Sequence, residues 1–303
     1  MQIIENTTEF HLENRSAVAL GKFDGIHLGH RLLLERVLGQ KQRGLQTVVF
    51  TFDTPAASFF GGETKELSTR EEKRAVFSRL GIDVLIEFPL NRDTAATEPA
   101  DFVARYLAGQ MRTAYLCAGP DISFGKGGAG DYALLEEYAG TYGYQVELIE
   151  KVRVDGEEVS STRVRQAVRA GEMEKVTAML GAPYRVSGKV VHGRQLGRKL
   201  GMPTANLLPD ERKLLPPNGV YYSRAEIGEK TYHGISNVGF KPTVSEEKIM
   251  GVETYLYDFE GEVYDRDMTV ELLAFRRAEQ AFASVEALRR QIEADVEAGR
   301  NFP

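Results

Sequence analysis

The sequence predicts an α/β fold, a doubly wound parallel sheet, followed by a small β-barrel domain with a terminal helix. Three observations predict it. Up to about residue 180, short apolar runs alternate with helical stretches, the pattern of a parallel sheet covered by helices on both faces. Beyond that point apolar and polar residues alternate in closely spaced short segments with glycine-rich turns, as in a small barrel. The last stretch, SVEALRRQIEADVEAG, returns to helical spacing. The predicted domains are 1–182 and 183–303.

In the first half, SAVALG (16–21) reads as a strand running into a glycine-rich loop, and HRLLLERVLGQKQRG (30–44) as a helix with Gly44 after its basic end. LQTVVFTF is a buried strand. TREEKRAVFSRLG is a helix, with Thr69 and Glu72 spaced as a capping box. IDVLIEFPL, TAYLCAG and YQVELIEKV read as strands; EPADFVARYLAGQ and GDYALLEEYAGTYG read as the helices between them. Parallel neighbours need such crossovers. STRVRQAVRAGEMEKVTAMLG is helix-rich and ends at Gly181, with Pro183 following. YRVSGKVVHG, GVYYSRAEI, KTYHGISNVG, GVETYLYDF and MTVELLAFRR are the predicted barrel strands, and Ser284 is placed to cap the final helix.

Composition narrows the class. The 303 residues are 42% hydrophobic and 27% charged, which fits a folded globular protein with a sizeable core. A net charge of −6 argues against unselective nucleic-acid binding but leaves room for a local basic pocket for a phosphorylated small molecule. The single cysteine, Cys117, lies in an apolar run, so a buried thiol in a reducing cytoplasm is expected. The N-terminus lacks the pattern of a signal peptide, and no apolar run approaches transmembrane length. Neither nucleic acid nor membrane is expected as a partner, and a monomer or weak homo-oligomer is.

The chemistry-bearing stretch of the first half is GKFDGIHLGH, residues 21–30. It follows a predicted strand and leads into a helix. In an open α/β sheet that is where ligands bind, and a helix start offers N–H groups suited to phosphate. His27 and His30, at i and i+3, share one side of the first turn. Two imidazole donors there could stabilise charge on a phosphoryl group in flight. The same residues also fit plain helix-start positions, while zinc would need further ligands that no nearby Cys/His set provides. In the second half, Gly188, Gly193, Gly197 and Gly201 with Arg194, Arg198 and Lys199 form a basic, glycine-dense loop without the GxxxxGK[ST] pattern. A tight turn with solvated charges and a nucleotide loop both fit it.

GKFDGIHLGH together with VSSTRVRQAV (159–168) resembles the nucleotidyltransferase superfamily with an HxGH signature, and more narrowly the bifunctional riboflavin kinase/FAD synthetase family of bacteria. The resemblance covers nearly the whole chain, in the same two-domain order. It implies that His27 and His30 bind ATP phosphates and support adenylyl transfer, that Gly21, Phe23, Asp24 and Gly25 belong to the same ATP site, and that Ser161, Thr162 and Arg165 contact its phosphates. GPDISFGKGGAGD (119–131) resembles the family's flavin-side loop, which implies FMN contacts at Asp121, Phe124 and Gly125. Two departures fall in this half. Gly128 stands where the family usually has arginine, and TFDTPAASFF lacks its proline–histidine–proline segment.

The second half is similar to riboflavin kinases. Its glycine-rich loop (Gly188, Gly193, Gly197, Arg198, Lys199) leads into a Pro-Thr-Ala-Asn box, Pro203 to Asn206. The resemblance implies ATP binding there, with Thr204 and Asn206 oxygens holding ATP-bound Mg²⁺. It further implies flavin contacts at Asn237, Gly239 and Arg277, and a general base in Glu253 that takes the proton of the riboflavin 5′-hydroxyl. Pro242, Thr243, Glu279 and Phe282 match the family's adjoining segments; Asp265 replaces a usual glycine in an expected turn after Tyr264. The expected activity is phosphorylation of riboflavin to FMN and adenylylation of FMN to FAD, with ATP as co-substrate. Two rival readings remain at this point: a kinase alone, its first domain inactive or acting on another phosphorylated acceptor, and a flavin-binding regulator without turnover.

Overall fold

The computed structural model describes residues 1–62, 64–193, 202–242 and 248–302. Chain contacts divide it into two compact units, Met1–Ser161 and Thr162–Pro303.

The first unit is a six-stranded parallel sheet. Its strands are β1 (Gln2–Glu5), β2 (Ser16–Leu20), β3 (Gln46–Phe52), β4 (Val84–Phe88), β5 (Thr113–Ala118) and β6 (Gln145–Leu148), in the order β1-β4-β3-β2-β5-β6. Alternate residues of each central strand serve opposite cores. Ala17, Ala19, Val49, Leu85 and Cys117 pack with Leu33, Leu34, Val37 and Phe77 of the helices α1 (Leu28–Gly39) and α2 (Arg70–Leu80). Val18, Leu20, Val48, Phe50, Ile86 and Leu116 pack on the other face with Val103, Tyr106 and Leu107, and with Leu135 of α3 (Tyr132–Tyr142). Both faces are therefore covered, as a fully parallel sheet requires. Cys117 is completely buried.

Local rules fix the helix ends. Thr69 and Glu72 form the reciprocal capping box, and α2 stops at Gly81 in the left-handed conformation. One expected α-helix is wound differently. Phe102–Gln110 is a π-helix, closed by the Met111 N–H on the Tyr106 carbonyl. The wider winding turns Phe102, Val103, Tyr106 and Leu107 inward together. Strand β1 was not apparent from sequence, because its four residues are half-exposed and carry no alternation.

After a two-stranded hairpin, β7 (Arg153–Val154) and β8 (Glu157–Glu158), come the helices α4 (Ser161–Ala170) and α5 (Met173–Leu180). The sequence places this helical segment with the first domain, yet α5 packs on barrel strands β9 and β14. The barrel is closed. Its strands β9 (Tyr184–Val191), β10 (Thr204–Leu207), β11 (Gly219–Ile227), β12 (Lys230–Pro242), β13 (Lys248–Leu256) and β14 (Asp267–Ala278) run in the order β10-β13-β12-β11-β14-β9. Side chains fill the interior: Val186, Val190, Ala205, Leu207, Tyr221, Val238, Val252, Val270 and Leu272 are buried. A hydroxyl ladder runs among them, Ser236 to Ser223 at 2.8 Å and Ser236 to Thr254 at 2.7 Å, so these buried polar groups satisfy one another. The terminal helix α6 (Val285–Arg300), capped by Ser284 as expected, lays Val296 on Val220, Ile235 and Tyr257 of the outer face. Strand β10 is a sixth strand that the sequence did not separate from the loop before it.

Candidate active sites in the two units

In the first unit the loop between β2 and α1 is tightly strained. Phe23, Gly25 and Ile26 all have positive φ, at 49°, 83° and 43°. Such values are outliers for a bulky or β-branched residue, and they persist only when surroundings hold them. The holding contacts are identifiable. Gly25 abuts Leu67, so that a β-carbon would lie 2.9 Å from its Cδ1. The Asp24 carboxylate accepts from the Leu67 N–H at 2.9 Å, and the Ser161 hydroxyl donates to the Asp24 carbonyl at 2.8 Å. Ser161 thus directs its proton into the loop backbone, whereas the sequence offered it to a phosphate. Thr162 and Arg165 follow on α4.

The loop delivers the two histidines as a pair. His27 is the N-cap of α1, its Nδ1 accepting from the His30 N–H at 3.4 Å. The rings stack with centroids 3.8 Å apart. Because Nδ1 accepts, the His27 proton sits on Nε2. Burial lowers the His27 pKa to about 4 and drives His30 well below its ordinary value, with the neighbouring His27 adding to the effect. Both rings are therefore neutral donors near pH 7. One expectation changes here. The helix start is not a row of open N–H groups, since His27 itself caps one of them. Phe23 is completely buried, wedged between Phe77 and the His30 ring at 5.5 and 5.0 Å, so its ring braces His30.

The flavin-side loop also resolves into structure. Phe124 is buried against Phe102 and Gly130, while Gly125, at φ 70°, lies against Pro99 with no room for a side chain. These two residues shape the loop from below. Asp121 is exposed and ion-paired with Lys151 at 2.9 Å. Gly128 has φ 69°, a conformation that suits glycine and strains the arginine usual there.

In the second unit strand register builds the site. Asn206 of β10 lies opposite Glu253 of β13, and Glu253 lies opposite Asn237 of β12. Opposed residues share a face, and the alternation along β10 and β12 makes it the outer one, which also carries α6. The Thr204 hydroxyl donates to Glu253 Oε1 at 2.6 Å. Gly193 sits against the Asn206 amide, where a β-carbon would overlap it, and Gly188 lies against the Leu208 carbonyl. Pro203 is exposed just before β10. Gly197, Arg198 and Lys199, with Arg194, Gly201 and Thr243, lie outside the described residues. Arg277 donates through its Nε and Nη2 to Asp295 of α6 at 2.8 and 2.6 Å, which fixes the terminal helix to β14. Nothing in the sequence pairs these two residues. Asp265 adopts φ 59° with its N–H on the Val190 carbonyl, the turn that glycine usually supplies.

Among the described residues no group of three or more His, Cys, Asp or Glu could hold a metal ion. The Thr204 and Asn206 oxygens nevertheless fit Mg²⁺. With its proton on Glu253, the Thr204 oxygen keeps lone pairs for a cation, and hard neutral donors suit an ion that retains water and phosphate ligands.

Comparison with known proteins decides what these two sites belong to. A family model described as riboflavin kinase matches residues 180–302, and one described as FAD synthetase matches 10–163. A bifunctional riboflavin kinase/FMN adenylyltransferase of Pseudomonas fluorescens is 35% identical over 99% of this chain and 97% of its own. The chain belongs to the bifunctional riboflavin kinase/FMN adenylyltransferase family. A member from Listeria monocytogenes is 33% identical over 98% of this chain and 95% of its own. A crystal structure from Streptococcus pneumoniae, described as a macrolide-efflux protein, is 30% identical with TM-score 0.87 over 99% of both chains. Among the described residues of this family member no helix is long and apolar enough to cross a membrane.

Proposed function

We propose that the chain converts riboflavin to FMN and FMN to FAD, using ATP in both steps, with 183–303 serving the first and 1–182 the second. The observation that carries this reading is the assembly of Thr204, Asn206 and Glu253, from two paired strands, into one polar cluster in register. A binding protein has no need of a carboxylate oriented by a hydroxyl.

In the kinase step the riboflavin 5′-hydroxyl oxygen bonds to the γ-phosphorus of ATP as the bond to the ADP oxygen breaks, and its proton passes to Glu253. Thr204 orients the Glu253 carboxylate. Thr204 and Asn206 would hold Mg²⁺, which supplies neutralisation of phosphate charge when bound. Phosphoryl transfer needs little beyond such positioning and charge balance.

In the adenylyl step an FMN phosphate oxygen bonds to the α-phosphorus of ATP and pyrophosphate departs. The attacker is already anionic, so no general base is needed. His27 and His30 donate N–H hydrogen bonds to the phosphate oxygens, and the anion in turn favours their protonated forms. Of Asp121, Phe124 and Gly125, Asp121 is the exposed residue and the one that would reach FMN.

A chromatographic product assay with Mg²⁺-ATP and either riboflavin or FMN tests the reading. FAD from both substrates supports two working sites. FMN from riboflavin with no FAD from either reduces the chain to a kinase, the outcome that Gly128 and the missing proline–histidine–proline segment would then explain.

A further inference from the structure

Next to the kinase cluster one polar atom is left unmatched. Asn237 Oδ1 is buried and, among the described residues, accepts no hydrogen bond. A buried carbonyl oxygen without a donor is rare and calls for a reason. The other half of the same amide is firmly held: Asn237 Nδ2 donates to Glu279 Oε1 at 3.2 Å. Glu279 is itself fixed from a second side, its Oε2 accepting from Asn218 Nδ2 at 3.4 Å. An ionised carboxylate only accepts, so Glu279 must face the NH₂ end of the amide, and the planar group turns its oxygen away from Glu279. Gly239 completes the arrangement. It lies two residues along β12 on the same face as Asn237, and a β-carbon there would overlap the Glu279 carboxylate. Glycine at this position makes room for Glu279.

We propose that Glu279 is a positioning residue that locks the Asn237 amide with its carbonyl oxygen presented, beside Glu253, to a hydroxyl group of the polyol chain of the flavin substrate. The inference rests on the kinase reading above. Asn237 and Glu253 are directly opposed on adjacent strands, so their β-carbons lie about 5 Å apart. A carboxylate and a fixed amide oxygen so placed make two adjacent acceptors, complementary to a chain of hydroxyl donors. Substrate binding would give the orphaned oxygen its missing donor. A ligand lacking hydroxyls would leave it unmatched, so the pair selects for the polyol chain.

A double-variant cycle on the full chain tests the lock: Asn237→Ala, Glu279→Ala and the two combined, with riboflavin KM and kcat measured separately. Each single variant is expected to raise KM about tenfold, the effect of one hydrogen bond, with a smaller change in kcat. Because Glu279 acts through Asn237, the double variant should match Asn237→Ala alone. Glu279→Gln, which keeps an acceptor oxygen, should recover most of the lost affinity. Effects that multiply in the double variant, or a Gln variant as impaired as the Ala variant, would overturn the lock. The melting transition of the barrel, measured on each variant, reports an intact second unit; if Glu279→Ala lowers it, the Gln variant alone decides. Wild-type protein that makes no FMN from riboflavin would overturn the kinase reading itself, and the lock with it.

Discussion

The two units solve the same chemical problem, holding the phosphates of a nucleotide beside an acceptor, by opposite means. In the first unit the functional groups are neighbours in sequence. Ten residues from Gly21 to His30 supply the strained turn, the brace and both imidazoles. In the second unit they are distant. Thr204, Glu253 and Asn237 meet only because three strands pair in one register. A local site is sensitive to backbone conformation, whereas a register-built site is sensitive to the single side chains that topology places together.

The sharpest way to break the comparison is to remove one key group from each unit. Glu253→Ala should slow FMN formation about 10³-fold, within the range for loss of a general base, while adenylylation of supplied FMN stays within about twofold. His30→Ala should do the reverse, lowering FAD formation from FMN about 10²-fold and sparing the kinase step. Product analysis on both substrates checks the pair; equal loss of both steps in either variant would sink the idea of independent sites. A backbone change comes next. Gly25→Ala combines φ 83° with the Leu67 contact and should destabilise the first unit by about 1–3 kcal/mol, lowering its melting transition and leaving that of the barrel in place. The pH dependence comes last. His27 is harder to protonate folded than unfolded, so folding stability is complete above its ordinary pKa of 6.5 and declines as pH falls toward about 4. His30, buried beside it, resists protonation in the same sense, so the loss seen in denaturant titrations across that range should be reduced, not abolished, by His27→Gln.

The same contrast explains what the sequence made legible. The HxGH loop, the Thr69–Glu72 capping box and the Ser284 cap were readable because each is a rule about residues a few positions apart. The alternation of strand and helix likewise announced the parallel sheet. Burial inside a loop was not readable. Phe23 and Phe124 stand in functional stretches yet face inward, Phe23 because its positive φ turns the side chain into the core and Phe124 because it packs on Phe102. Register was not readable either. No pattern in the sequence brings Glu279 onto Gly239 or Arg277 onto Asp295, since those contacts depend on how β12, β14 and α6 come together. Family resemblance supplied the names of the kinase residues, and the structure supplied what each one touches.

The closed ring of the second unit also sets an order of events during folding. Closure joins β9 to β14, pairing Tyr184 with Leu272 and Asp267 with Lys189, partners about eighty residues apart. The hairpin pairings β11–β12 and β12–β13 involve short loops and cost little entropy to form, but the first strand must wait for the last. Strand β10, which carries Thr204 and Asn206, has β13 and β9 as its partners. The kinase cluster therefore belongs to the late-forming part of the barrel, and catalytic competence on refolding should lag behind the first appearance of sheet structure.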